Sequence, residues 1–221
     1  MPDPAIAQDP DELFDVVTFD GQPTGVVKRR ADVHRDGDWH RAIHVWITRM
    51  DETGPFLIFQ RRGMEKDTHP GKFDATVGGH YGAGETVVEA LREVEEEIGI
   101  EVALGDLTYV GIRVCIAEPS SGVIDHELQD VFLLRDDRTL TSYRPNPAEL
   151  AAIVQCPLEP LLEFLAGDRD SVPTRSIAPG STTIECGIAT SEDFILRHDR
   201  YSYRVAIAAE RLIAGERHIA V

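Results

Sequence analysis

Residues 78–100 read GGHYGAGETVVEALREVEEEIGI. The first seven positions hold Gly78, Gly79, Gly82 and Gly84, a loop whose backbone can approach an ion or a phosphate closely. Thr86 and Glu89 have the Thr-x-x-Glu spacing of a capping box, so a helix is expected to start at Thr86. Gly99 stands where a helix prefers its terminating glycine. At about 100° per residue, Val87, Leu91, Val94 and Ile98 fall on one narrow arc that must face a core. Glu89, Glu93, Glu96 and Glu97 gather on another arc.

Carboxylates spaced three and four apart on a helix repel one another. Most Glu-rich helices simply present such a face to water. Here the acidic row adjoins a glycine loop fed by the short strand FDATV, and Arg92 sits inside the row, where its guanidinium can orient a carboxylate. Oxygen ligands at this density suit Mg²⁺ or Mn²⁺. The segment reads as a divalent-metal site for cleaving a phosphoanhydride.

The same residues resemble the Nudix box, in which Gly, five residues, Glu and seven residues precede Arg-Glu-apolar-x-Glu-Glu-x-Gly-apolar. Gly79 and Glu85 match its first part, and Arg92, Glu93, Val94, Glu96, Glu97, Gly99 and Ile100 match its second part. Six residues separate Glu85 from Arg92, one fewer than the usual pattern. The resemblance implies an α/β (α+β) fold, the Nudix α/β/α sandwich with a mixed sheet. It implies Glu93, Glu96, Glu97 and the Gly78 carbonyl as metal ligands and Arg92 as the group that holds the carboxylates. It also implies that one of those carboxylates activates the water. Nearby Arg61, Arg62 and Lys72 are candidates for the substrate phosphates, or equally are ordinary exposed charges.

HRAIHVWI, FLIFQRR and HPGKFDATVGGH, within residues 13–135, resemble the isopentenyl-diphosphate isomerase branch of Nudix proteins. That isomerase uses a cysteine just before the Gly-His of this loop, where this chain has Gly78. It also usually lacks a complete box. Both differences point to a hydrolase on an isomerase-like frame. The branch also binds a metal through histidines and acids, which implies a second site from His34, His40, His80, Asp125 and Glu127. Histidines of this kind more often flank a strand and bond locally. Glu149, opening ELAAIVQCPLEPL, resembles a late acid that assists catalysis in some relatives. The alternatives are an isomerase and a non-catalytic nucleotide-binding module, to which the missing cysteine and the intact glutamate row respectively run counter.

The 221 residues carry 39 Asp and Glu against 22 Lys and Arg, a net charge of −17. Such a chain is unsuited to polymeric nucleic acid or anionic membrane, which demand clustered cations. A small phosphorylated substrate is the expected partner, and the family resemblance is compatible with a homodimer. Cys115, Cys156 and Cys186 form no metal or Cys-x-x-Cys pattern. MPDPAIAQDPDE shows no signal peptide, and no run approaches about 18 apolar residues, so a reducing cytoplasm is expected. Residues 1–12 read as a flexible arm and 13–221 as a single Nudix domain, with N-terminal strands over 13–40 and a C-terminal extension over 168–221. RAIHVWIT and FLIFQRR around DETG read as a hairpin, and ADVHRDGDWHR as a polar connection. LTYVGIRVCIAE, LQDVFLLRD and ELAAIVQCP read as strands, and LEPLLEFLAG and YSYRVAIAAERLIAG as helices. Residues 168–200 match no pattern. Trp39, Trp46, Phe59, Phe73 and Tyr81 are as suited to a core as to stacking on a base.

Overall fold

The computed structural model describes residues 9–117, 122–195 and 197–221, so most of the assigned N-terminal arm lies outside the described residues. The chain enters through an antiparallel hairpin, β1 (Leu13–Val17) and β2 (Pro23–Arg29), and a short helix, α1 (Arg30–Asp36). That helix replaces the polar connection expected there. Seven residues are too few to display a helical period, and its one clear mark is Gly37, the left-handed residue that ends it.

Strands β3 (Trp39–Asp51) and β4 (Gly54–Arg62) form the hairpin that DETG predicts. FDATV contributes two short strands, β5 (Phe73–Asp74) and β6 (Val77–His80). The box helix follows in two pieces, α2 (Val87–Ala90) and α3 (Arg92–Ile98). Then come β7 (Leu107–Ala117), β8 (Asp125–Arg135), β9 (Leu150–Pro157) and α4 (Leu158–Ala166). Within residues 168–200, where the sequence shows no pattern, lies a hairpin, β10 (Ser171–Ile177) and β11 (Glu185–Thr190), and α5 (Tyr201–Ile213) follows.

Strands β3 to β11 make one nine-stranded sheet with path β11-β10-β9-β4-β3-β8-β7. It is mixed, because β3 and β8 run parallel while the other pairs are antiparallel. Side chains alternate across the sheet, so β3 serves two cores. Ile43, Val45 and Ile47 pack under Val94 and Ile98 of α3. Trp46, on the other face, packs with Phe59, Leu161 of α4 and Val205 of α5. The result is the expected sandwich. Among the described residues no helix is long and apolar enough to cross a membrane.

The box helix is not continuous. Thr86 does cap it, with Glu89 closing the reciprocal capping box. At Leu91, however, ψ opens to −11°, and the Val94 N–H bonds back three residues to the Leu91 carbonyl at 3.1 Å. A tighter turn thus joins the two pieces. Arg92 reaches Glu85, at 2.9 Å from its Nε.

Candidate functional site

The site lies in a fork of the sheet. β4 pairs with β3 over Ile47–Asp51, then diverges, and β6 takes the vacated edge over Ala42–Val45. Thr76 closes the crotch, accepting from the Ile47 N–H at 2.9 Å and donating to the Ile58 carbonyl. A polar cleft runs through the fork. From the α3 side come Glu93, Glu97, Gln60 and Arg62; from the other side come His44, His80, Asp125, Glu127 and Gln129. Gly78 and Gly79 lie between, on successive positions of β6 that face opposite ways.

The absence of a side chain at Gly79 admits the helix. A Cβ there would meet Glu93 Cγ and Cδ at 2.3 Å, so the Glu93 carboxylate occupies the space a larger residue would need. Arg92 braces the row. Its Nη1 lies 2.5 Å from Glu93 Oε1 and 3.3 Å from Glu96 Oε2, while its Nε and Nη2 hold Glu85, which also accepts the Gly82 N–H at 2.7 Å. Glu97 is buried, and accepts from Gln60 Nε2 at 3.2 Å. Glu149 lines the same wall, paired with Lys66. Glu96 stands at the rim with 53% of its side chain exposed.

These carboxylates crowd one another away from water. Burial pushes the Glu93 carboxyl up to about 7, with Arg92 opposing and Glu96 adding. Burial, Glu93 and Glu149 together hold Glu97 well above its ordinary range, against Lys66 and Arg62. A divalent cation relieves that crowding, and hard oxygen donors are the set it prefers, so these residues fit one.

On the other side His34, His40 and His80 each bring one ring nitrogen within 4.8 Å of the others. His34 Nε2 and His40 Nε2 are buried without a hydrogen-bond partner. His40 Nδ1–H donates to the Asp38 carbonyl at 3.0 Å, which leaves the Nε2 lone pair free. Burial, with Arg30 adding, lowers His34 to about 4, and burial lowers His80 to about 3, so both rings are neutral at pH 7. His80 Nε2 donates to Glu127 at 3.0 Å, and Asp125 Oδ1 lies 3.5 Å from His34 Nε2. Burial alone would raise Glu127, but the hydrogen bond from His80 holds it below the usual range. The orphaned nitrogens of His34 and His40, beside carboxylates, fit a transition metal, and His80, held between Arg30 Nη1 at 3.1 Å and Glu127, joins them by exchanging one of those partners for the ion.

Two phosphate candidates are corrected. Arg62 lines the cleft, held by Thr68. Arg61, its neighbour on the strand, does not: it lies over the Phe73 ring at 4.8 Å and bonds Asp193 at 3.1 Å. Lys72 donates to the Glu192 carbonyl, away from the cleft. Both tie down the segment after β11, whose Asp193 carbonyl accepts the Phe73 N–H at 2.7 Å. The cations found instead are Arg30, Lys66 and Arg197. Of the aromatics, Trp46, Phe59, Phe73 and Tyr81 are core, and Trp39 stacks on His126. Sequence reasoning also missed His44, Gln60 and Gln129; strand parity places His44 on the face of His40, which was a usable signal.

A family model described as NUDIX domain matches residues 38–175. Nudix hydrolase 3 of Arabidopsis thaliana is 37% identical over 161 residues, covering 71% of this chain and 20% of that protein. This chain therefore spans about a fifth of that relative's length. An isopentenyl-diphosphate Delta-isomerase of Brevibacterium linens is 34% identical over 147 residues, covering 63% of this chain and 74% of that one. A crystal structure of a Deinococcus radiodurans protein superposes with a TM-score of 0.52 at 25% identity, over 71% of this chain and 90% of that one. With the family match extending over more than half of the sequence, the chain belongs to the NUDIX domain family.

Proposed function

We propose that this chain is a divalent-metal-dependent hydrolase that cleaves a phosphoanhydride bond in a small nucleoside or other organic diphosphate. The observation that carries the reading is the convergence of half-buried Glu93 and buried Glu97 with Glu149 on one wall of a cleft, with Arg92 bracing the row from behind. Glu93, Glu96, Glu97 and the Gly78 carbonyl would hold Mg²⁺ or Mn²⁺. When bound, such an ion screens the phosphates, acidifies water and stabilises the departing phosphate. Arg62, Lys66, Arg30 and Arg197 meet the anionic substrate across the cleft. Gln60 fixes the orientation of Glu97, and Glu149 takes the proton of the attacking water. The histidine cluster with Asp125 and Glu127 would hold a second divalent ion, Zn²⁺ or Mn²⁺ by its mixed nitrogen and oxygen donors.

The isomerase reading requires a thiol that the cleft does not present. Residue 78 is glycine, no cysteine is among the described residues that line the cleft, and Cys115 is buried in β7 beside Arg197. Incubation with Mg²⁺ and a panel of CDP, ADP-ribose, CoA and isopentenyl diphosphate tests the reading. Phosphorylated products that disappear in Glu97→Gln support hydrolysis. Dimethylallyl diphosphate as product would establish the isomerase instead, and thermal stabilisation without turnover would establish a binding module.

A further inference from the structure

His44 is a buried polar side chain of the cleft that hydrolysis by the α3 carboxylates leaves without a role. Three contacts define its state. Trp46 Nε1–H donates to the Tyr201 hydroxyl at 2.8 Å, and an indole can only donate. The same buried hydroxyl lies 2.9 Å from His44 Nδ1, the one acceptor it meets among the described residues, so its own proton goes to that nitrogen. The proton of the neutral ring is thereby fixed on Nε2. That edge faces Gly78: the two residues are cross-strand partners, and a Cβ on Gly78 would stand 3.4 Å from both Cδ2 and Nε2. Because residue 78 has no side chain, the Nε2–H edge is open to the cleft that both residues line.

We propose that His44 is a catalytic hydrogen-bond donor whose Nε2–H binds an oxygen of the substrate diphosphate beside Gly78. Tyr201 and Trp46 are positioning residues that hold the imidazole in that tautomer. The side chains that would hold metal come from α3 and from the histidine cluster, and His44 belongs to neither set. Through Tyr201, helix α5 becomes part of the active site, although its residue lies 157 positions from His44. A fixed donor aimed at developing charge acts on turnover more than on ground-state binding. This role rests on the hydrolytic reading above.

The test is kcat and KM, with Mg²⁺ and the best substrate of the panel, for three variants whose folding is checked by thermal melting. His44→Leu removes the donor and keeps the bulk; kcat is expected to fall about 100-fold with KM changed less than about threefold. His44→Gln restores an N–H near Nε2 and should recover at least about tenfold of that loss. Tyr201→Phe keeps the packing but releases the tautomer, and should lower kcat about tenfold. A His44→Leu enzyme as fast as wild type, or a His44→Gln enzyme no better than His44→Leu, overturns the role. If His44→Leu does not fold, Tyr201→Phe decides: unchanged kcat overturns the role and a selective loss of kcat supports it. Absence of turnover in the wild type refutes hydrolysis itself and this role with it; an active wild type with indifferent variants refutes only this role.

Discussion

Gly79→Ala should separate folding from function. Its Cβ would lie 2.3 Å from Glu93 Cγ and Cδ and 2.6 Å from Oε2. Ordinary contact begins near 3.4 Å, so Glu93 must retreat by about 1.1 Å. The atoms displaced begin at Cγ, so the Glu93 side chain must leave its rotamer and its Arg92 contact, while the backbone at Gly79 is that of an ordinary strand, paired with Ile43. Stability should therefore fall by about 0.5–1.5 kcal/mol, the scale of one off-rotamer side chain. A reacting group misplaced by 1 Å costs about 100-fold in rate, or about 2.7 kcal/mol of barrier. Urea unfolding and steady-state hydrolysis with Mg²⁺ measure the two effects side by side. Wild-type turnover in Gly79→Ala would refute the placement of Glu93 at the reacting centre. A loss of several kcal/mol in stability would show instead that the glycine serves packing.

Thr76→Val removes both hydrogen bonds at the crotch of the fork and leaves the Ile47 N–H and Ile58 carbonyl buried without Thr76 as partner. Denaturant unfolding should show a loss of about 1–3 kcal/mol. Glu93 holds its proton to about pH 7 in the metal-free protein, whereas an unfolded glutamate releases it near 4.5. Between these values the folded state binds more protons, so metal-free stability should fall as pH rises from 4.5 to 7, by about 3 kcal/mol in all. Below 4.5 Glu93 is protonated in both states and its contribution is constant; Mg²⁺ should reverse the trend above 4.5, and thermal melts with and without the ion read both. His40→Ala should lower the content of bound transition metal by elemental analysis while leaving Mg²⁺ binding at the α3 row intact.

The carboxylate helix and the β3–β4 hairpin are legible in the sequence because each has a period. Val87, Leu91, Val94 and Ile98 repeat at helical spacing, and a four-residue turn divides two runs of β-branched and aromatic residues. The break at Leu91 has no such mark, since its form as a tight turn is a matter of backbone geometry. Arg61 and Lys72 resemble phosphate ligands by proximity to the box. Their true partners, Asp193 and Glu192, lie more than a hundred residues downstream in a segment without periodic signal. Arg197 is hidden for the same reason: the chain after β11 returns it to the cleft, and no local pattern announces that return or the contact of Tyr201 with His44. The histidines His34, His40 and His80 were legible as a group through resemblance, yet what brings them together is the short helix α1, whose sequence reads as a loop.

The most direct measurement is the fate of isotopes when the wild type turns over a diphosphate substrate with Mg²⁺ in doubly labelled water. Hydrolysis predicts heavy oxygen in a phosphate of the product, no deuterium on substrate carbon, and loss of the reaction in Glu97→Gln. Deuterium on carbon with an intact diphosphate would contradict the account.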